Sequence, residues 1–335
     1  MKSLNYLLAL WLLGCCTPAW SVEIEPVAAN SGPVTSEPAP APTEVPALPA
    51  KPEFIVDAAW LEQHIDDPAL VVLEVRYHPH RYYTVGHIPG AVQVQRFRDL
   101  GDNLATPLTR FPSREAFQAT LRNWGISHGS TVVIYDDART ALAARLYYLL
   151  ELYGFDMSLV KVLEGGTLEW SAFHELSRED ARPRSGNVTL QPAREDLYVE
   201  WPAIYDAVLS RRDPAVILID ARPHDHYTGE TLSHAVRGGH IPGAVNIVSL
   251  DGTEGGSQKW LPLERLQAVY AAVPKDRSVY VYCHDGFRMS LAYLQLKALG
   301  YTDVRLYNGG WAHWGNALSL PVVTGEQPYD EAYEL

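Results

Sequence analysis

The chain has 335 residues, is 47% hydrophobic and carries a formal net charge of −13. This length suffices for two ordinary domains, and the hydrophobic content is normal for globular cores. The acidic balance argues against nucleic acid as a partner, because phosphate binding needs a basic face. The net negative charge also repels anions, so any anionic substrate must be attracted by local positive groups.

The N-terminal residues 1–21 predict an export signal. A single lysine precedes an apolar run, roughly residues 7–13, that is too short to cross a bilayer. Two processing interpretations stay open. Ala19-Trp20-Ser21 resembles a site for ordinary signal peptidase, whereas Leu12-Leu13-Gly14-Cys15 resembles the lipobox of bacterial lipoproteins, in which the cysteine is acylated. We expect an exported, periplasmic protein, either soluble or tethered to the membrane through Cys15.

Residues 22–52 are rich in Pro, Ala and Glu, a composition that cannot bury a core and predicts a disordered spacer. Two of the three cysteines lie before this spacer, so Cys283 is the single thiol of the folded part. A disulfide within the folded domains is therefore excluded. A lone thiol in an exported protein indicates either chemistry or an inert buried side chain, and the count alone does not choose between them.

The rest of the chain is an internal repeat of about 145 residues. In order, each half has an opening segment, a strand that ends in an acid and an arginine, the motif GHIPGAV, a strand that runs through a polar loop into a helix, and a strand followed by Gly-Gly and Trp. These segments lie at 54–65, 71–76, 86–92, 132–154 and 160–170 in the first half, and at 197–208, 216–222, 239–245, 279–301 and 304–314 in the second.

Short apolar runs that alternate with amphipathic helices predict parallel strands covered on both faces. The expected fold is α/β, with two tandem domains that each have a mostly parallel central sheet flanked by helices. The first domain spans residues 53–178, a linker spans 179–195, and the second domain spans 196–335. We expect His87 and His240 of the repeated motif to shape its turn, and no metal site is predicted.

Alignment of the two halves places Asp136 where the second half has Cys283. One half therefore has a nucleophile and the other a carboxylate, which predicts one catalytic domain and one inactive domain. In open α/β sheets, ligands bind at the carboxyl ends of strands, and Cys283 lies at such an end.

The loop after the cysteine consists of His284, Asp285, Gly286, Phe287 and Arg288. Its backbone N–H groups and the start of the next helix, predicted over residues 289–299, favour the thiolate and can lower a cysteine pKa from about 8.5 to roughly 4–7. Gly286 allows a tight curl, and Arg288 can hold an anionic donor. Asp285 opposes this by adding negative charge, while His284 either tunes protonation or is simply solvated.

Together the acid-and-arginine strand ends, the GHIPGAV motifs, the cysteine loop and the Asn-Gly-Gly-Trp signature resemble the two-domain rhodaneses, which are thiosulfate or 3-mercaptopyruvate sulfurtransferases. The resemblance covers residues 54–330. It implies that Cys283 takes a sulfane sulfur and becomes a persulfide, that the first domain is silent with Asp136 as the inactive counterpart, and that Arg222 helps to bind the donor. A second interpretation of Arg222 is an ion pair with Asp220 or Asp225.

The loop sequence CHDGFR differs from the CRKGVT of thiosulfate-preferring members and the CGSGVT of mercaptopyruvate-preferring members, and is closer to single-domain bacterial rhodaneses. We expect a small anionic donor, thiosulfate rather than 3-mercaptopyruvate, a thiol or cyanide as acceptor, no cofactor, and a monomer. One alternative is a non-catalytic binding or sensing module. Another is a cysteine phosphatase, which is disfavoured because its loop has one more residue between the cysteine and the arginine.

Overall fold

The computed structural model describes residues 51–330, with the exception of Leu108, Arg211 and Ser233. The predicted export signal, Cys15 and nearly all of the predicted spacer lie outside the described residues. None of the helices in the described ranges is both long enough and apolar enough to cross a bilayer.

The first half contains a five-stranded parallel sheet in the order β1-β5-β4-β2-β3. Its strands are β1 Ile55–Val56, β2 Leu70–Val75, β3 Val92–Val94, β4 Thr131–Asp136 and β5 Val160–Leu163. Its helices are α1 Ala58–His64, α2 Arg81–Thr84, α3 Arg96–Leu100, α4 Arg114–Asn123, α5 Ala141–Leu152 and α6 Gly166–Ser171.

The second half repeats this topology in the order β6-β10-β9-β7-β8, again with parallel pairs. Its strands are β6 Tyr198–Val199, β7 Val216–Asp220, β8 Ala244–Asn246, β9 Ser278–Tyr282 and β10 Val304–Tyr307. Its helices are α7 Trp201–Ile204, α8 His224–Thr228, α9 Leu263–Val269, α10 Phe287–Ala298 and α11 Gly310–Trp314. The prediction of two tandem, mostly parallel α/β domains is confirmed.

The central strands β4 and β9 are buried because helices cover both faces of each sheet. Val132, Val133 and Ile134 are fully buried, as the continuous apolar run in the sequence indicates. Trp170 and Trp314 are also buried in the cores of their halves.

Both copies of the GHIPGAV motif form the same hydrogen-bonded corner. The His87 ring stacks on Tyr82 at 3.6 Å between centroids, and the His240 ring stacks on Tyr227 at 3.7 Å. In each copy one ring nitrogen bonds the carbonyl of the stacked tyrosine, at 3.0 Å and 2.9 Å respectively, and the other bonds a more distant carbonyl. These histidines shape the turn as predicted.

The helices that follow the two central strands, α5 and α10, pack against each other and join the halves into one hydrophobic core. The rings of Tyr148 and Tyr293 meet edge to face at 5.0 Å between centroids. Lys297 of α10 pairs with the buried Glu151 of α5. Since each of these helices begins beside its own strand-end loop, the packing brings the two loops to the same edge of the molecule.

The predicted linker is not a free tether, because it lies along the surface of the first half. Gly186 N–H donates to the carbonyl of Arg122 at 2.8 Å, Gln191 N–H donates to that of Tyr153 at 2.9 Å, and Val188 is buried. These contacts fix the segment that leads into the second half.

Candidate active site

A cleft of about 720 Å³ opens between the two halves at the carboxyl ends of their strands. The first-half wall includes Tyr77, Arg96, Phe97, Asp137 and Arg139. The second-half wall includes His226, His234, His284, Asp285, Phe287 and Arg288. The loop that sequence analysis singled out therefore lines the cleft, and the first half supplies the opposite wall.

The Cys283 thiol lies directly beneath this loop, between strand β9 and the start of α10. Its sulfur accepts the Gly286 N–H at 3.1 Å. Gly286 caps the helix with φ of 97°, in the left-handed region that glycine adopts without strain, and so allows the chain to curl around the sulfur. The thiol itself is fully buried and does not line the cleft, whereas His284, Asp285, Phe287 and Arg288 of its loop do.

The first half has the same cradle, and a carboxylate occupies it. Asp136 accepts the backbone N–H groups of Ala138, Thr140, Leu142 and Ala143 at 2.8–3.0 Å. The preceding residues also match. The hydroxyl of Tyr135, which precedes Asp136, accepts the N–H of Ile88. The hydroxyl of Tyr282, which precedes Cys283, accepts the N–H of Ile241 in the same way.

The two cradles use equivalent amides. Thr140 and Gly286 are the residues that precede α5 and α10, both have left-handed backbones, and both direct their N–H at the side chain at the strand end. Four residues separate Asp136 from α5, whereas three separate Cys283 from α10. The structure thus places Asp136 and Cys283 in equivalent cradles. Burial, the largest effect, raises the pKa of Asp136, and the four amide hydrogen bonds oppose that increase.

The predicted lowering of the Cys283 pKa is wrong for this structure. Burial, the largest effect, raises the pKa of the thiol, and the nearby negative charge of Asp285 raises it further. The N–H groups of Met289 and Gly286 and the charge of Arg288 oppose the increase without cancelling it. The amides and the aspartate are visible in the sequence, but the desolvation is not, because it depends on how the folded chain packs around the sulfur.

Two cleft histidines are held in their neutral form. Burial lowers the pKa of His226 and of His284, and the positive charges of nearby arginines contribute. One ring nitrogen of each, Nδ1, is buried and has no hydrogen-bond partner within the described residues. His234, His226 and His284 line the same cleft, although no group of His, Cys, Asp or Glu side chains in the described ranges is arranged to hold a metal ion.

Arg222 does not reach the cleft wall, and its position supports the ion-pair interpretation over the donor-binding one. The side chain is fully buried, with bonds from Nε to Asp220 at 2.9 Å and from Nη2 to the Gly239 carbonyl at 2.6 Å. Its guanidinium lies 4.4 Å from the centre of the Trp311 ring. Burial alone would lower the pKa of Arg222, but the Asp220 carboxylate raises it overall. Arg76 and Glu74 form the matching buried pair in the first half.

Arg145, which sequence analysis did not identify, lies behind the cysteine loop and comes from the first half. It is the only charged side chain in the fully buried first two turns of α5. Its Nη2 donates to the carbonyl of Thr109 at 2.8 Å, whereas Nη1 is buried without a partner in the described part of the chain. Burial lowers the pKa of Arg145 to about 10, and the negative charges of Cys283 and Asp285 act against that change. An arginine within the apolar first two turns of a helix was the available sequence signal.

The sequence model of the rhodanese-like domain matches this chain twice, over residues 57–173 and 205–317. Among characterised relatives, a sulfur carrier protein of Thermus thermophilus is 32% identical over 303 residues, covering 83% of this chain and 99% of the relative. A thiosulfate sulfurtransferase of Corynebacterium glutamicum is 33% identical, covering 83% of this chain and 92% of the relative. A 3-mercaptopyruvate sulfurtransferase of Escherichia coli is 28% identical, covering 80% and 97%.

Solved structures agree on the fold. The crystal structure of the Escherichia coli protein described as a 3-mercaptopyruvate sulfotransferase superposes with a TM-score of 0.68 at 26% identity, covering 77% of this chain and 98% of that one. An anaerobic ergothioneine biosynthesis enzyme from Chlorobium limicola superposes with a TM-score of 0.71 at 22% identity, covering 81% and 70%, and shows the fold alone.

Proposed function

This chain belongs to the rhodanese family, and we propose that it is a sulfurtransferase that moves a sulfane sulfur from a small anionic donor, through a persulfide on Cys283, to a thiol or cyanide. The observation that carries the proposal is the pair of equivalent cradles. In the first half, four amide N–H groups surround the carboxylate of Asp136, whereas the second half directs the same kind of cradle at a thiol. Only the second cradle therefore directs a backbone N–H donor at a nucleophile.

In the first step the Cys283 thiolate attacks the outer sulfur of the donor. A new S–S bond forms, the bond between that sulfur and the rest of the donor breaks, and the electron pair leaves with sulfite from thiosulfate or with the enolate of pyruvate from 3-mercaptopyruvate. Arg288 lines the cleft beside the cysteine loop and has no ion-pair partner among the described residues, so its guanidinium is available to hold the departing anion.

In the second step a thiophilic acceptor takes the outer sulfur, and the electron pair of the broken S–S bond returns to Cys283. The persulfide adds one sulfur atom to the side chain of Cys283, whose loop lines the cleft. The N–H of Gly286 and the start of α10 remain beside it. These donors are fixed before the reaction, which is the arrangement that stabilises developing charge most efficiently.

Thiosulfate is the proposed preferred donor. The support is the positive charge of Arg288, which lines a cleft in a chain whose net charge is −13. A dianion gains more from this local charge than a monoanion does. The 33% identity to a thiosulfate sulfurtransferase agrees with this choice, whereas the relative named for 3-mercaptopyruvate is 28% identical.

Single-turnover release of the leaving group tests the proposal. Stoichiometric protein mixed with thiosulfate and no acceptor should release about one sulfite per chain, and added cyanide should then yield an equal amount of thiocyanate. Cys283→Ser should release none, while Asp136→Asn, which alters the equivalent cradle in the silent half, should still react. Absence of sulfite and of pyruvate with 3-mercaptopyruvate would favour a non-catalytic binding module.

The proposal includes export. Residues 1–21 carry the features of a signal peptide, and Leu12-Leu13-Gly14-Cys15 supports lipid attachment at Cys15. We expect the sulfurtransferase in the periplasm as a monomer, either soluble or anchored. Cell fractionation of the wild-type chain and of Cys15→Ser distinguishes the two: an anchored protein should move from the membrane fraction to the soluble fraction on substitution, and a soluble one should not change.

A further inference from the structure

Arg96 is a cleft residue that the proposed mechanism does not use. It begins α3 on the first-half wall, with its guanidinium carbon 3.9 Å from the centre of the Tyr77 ring and 4.4 Å from that of Phe97. It makes no hydrogen bond or ion pair with any residue of the described part. A guanidinium stacked on aromatic rings keeps its in-plane N–H donors free, and these donors match a carboxylate.

Arg96 is also close to the reacting loop. The rings of Phe97 and Phe287 meet edge to face at 5.8 Å between centroids, and the Arg96 guanidinium lies 5.8 Å from the same Phe287 ring. Phe287 is the first residue of α10 and directly follows Gly286, whose N–H bonds the sulfur of Cys283. The Arg96 guanidinium therefore lies beside Phe287 of the cysteine loop itself.

Three arginines line the cleft, namely Arg96, Arg139 and Arg288. Arg139 is committed, since its guanidinium bonds the carbonyls of Leu250 and Thr253 and the Thr253 hydroxyl. Arg288 and Arg96 remain uncommitted on opposite walls. The carboxylates of Asp137 and Asp285 also line the cleft; Asp137 accepts the Tyr77 N–H at 2.8 Å and lies 3.9 Å from Arg81.

The size of the cleft indicates a second, larger substrate. Its volume of about 720 Å³ lies in the range of pockets that enclose drug-sized ligands. Thiosulfate consists of two sulfur and three oxygen atoms, so a donor bound at Arg288 leaves most of this space to the acceptor. The aromatic rings of Tyr77, Phe97 and Phe287 supply apolar surface for the body of such a molecule.

We infer that Arg96 is the carboxylate subsite of the acceptor, and that the acceptor is a thiol with a carboxylate group, of the size of a short peptide. This inference rests on the proposed sulfurtransferase function. The acceptor thiolate attacks the outer sulfur of the Cys283 persulfide, an S–S bond forms in the acceptor, and the S–S bond to Cys283 breaks. The electron pair returns to Cys283 as a thiolate, and the product is the acceptor persulfide, with no other reactant.

Two small thiols that differ in a carboxylate test the subsite: 3-mercaptopropionate and 2-mercaptoethanol. Enzyme loaded with thiosulfate and freed of excess donor is mixed with each thiol, and the rate of persulfide discharge is measured against thiol concentration. Arg96→Gln should lower the second-order rate constant for 3-mercaptopropionate about tenfold, as expected for a lost charge-assisted hydrogen bond, and that for 2-mercaptoethanol less than twofold. Glutathione, a peptide thiol with two carboxylates, should show at least the loss seen with 3-mercaptopropionate.

Arg98→Gln is the matched control, because Arg98 lies on the same helix but is exposed and pairs with Asp99. It should leave both rate constants within twofold of wild type. Equal losses for the two thiols in Arg96→Gln, or no loss for either, would overturn the subsite. Mass analysis of the loaded enzyme separates this failure from that of the proposed function: a persulfide that forms normally but discharges without carboxylate preference contradicts the subsite alone, whereas no persulfide contradicts both.

Discussion

Arg145 of the first half and Gly286 of the cysteine loop are in contact: a β-carbon at residue 286 would lie 2.9 Å from Nη1 of the arginine. The first half thus places a buried positive charge against the loop whose N–H bonds the Cys283 sulfur. Since that guanidinium comes from α5, which packs on α10, the geometry of the catalytic loop depends on the interface between the halves.

Gly286→Ala should abolish most of the sulfurtransferase activity and destabilise the protein by about 1–3 kcal/mol, because the backbone is left-handed and the added carbon meets Arg145. Gly90→Ala is the matched control, since Gly90 is also left-handed but a β-carbon there meets nothing within 4 Å. Urea unfolding and initial rates check both variants. Equal effects of the two substitutions would show that the contact with Arg145 has no importance.

Arg145→Met should raise the pKa of Cys283 further, since it removes a positive charge near the thiol, and Arg145→Lys should restore part of the difference. The measurement is the rate of iodoacetamide alkylation between pH 6 and pH 11. Loss of hydrogen bonds to the Leu100 and Thr109 carbonyls should also lower stability by about 1–3 kcal/mol. If the alkylation rates of Arg145→Met, Arg145→Lys and the wild type depend on pH in the same way, Arg145 contributes only to packing.

The alkylation rate of the wild-type protein should increase as the pH rises through the raised pKa of Cys283, because the thiolate fraction remains low at neutral pH. Asp285→Asn removes a negative charge that favours the protonated thiol, so its profile should shift to lower pH and its rate at pH 7 should increase. A shift to higher pH would contradict the assigned effect of Asp285.

Arg222→Lys should lower stability more than it changes donor binding. The bidentate bonds to Asp220 and the bond to Gly239 are buried, and breaking such a pair costs about 3–5 kcal/mol. Unfolding midpoints and the KM for thiosulfate measured on the folded fraction check this. A stable variant with a KM raised tenfold or more would instead support the donor-binding role suggested by the family resemblance.

The repeat in the sequence was sufficient to predict the fold, because each apolar run is a complete strand buried on both faces, and both halves arrange their strands in the same order. It also placed Asp136 and Cys283 at equivalent strand ends. The sequence repeat could predict the fold and this equivalence because the acid, the turn motif and the strand-end loop are local features of each half.

The properties that the sequence did not predict arise from contacts between distant segments. The raised pKa of Cys283 reflects burial of the sulfur, and Arg145 reaches the loop only through the packing of α5 on α10. Arg96 and Arg139 gain a position on the cleft wall when the halves meet. The sequence allowed two interpretations of Arg222, donor binding and an ion pair with a nearby aspartate, because its sequence neighbours fit both. Its full burial in the structure favours the ion pair.

The mass of the protein after exposure to thiosulfate decides whether Cys283 carries a persulfide. Wild-type protein, purified without reductant and freed of donor, should gain the mass of one sulfur atom, located on the peptide that contains Cys283 and removed by cyanide. Cys283→Ser should gain nothing. An unchanged wild-type mass after treatment with thiosulfate and, separately, with 3-mercaptopyruvate would contradict the account.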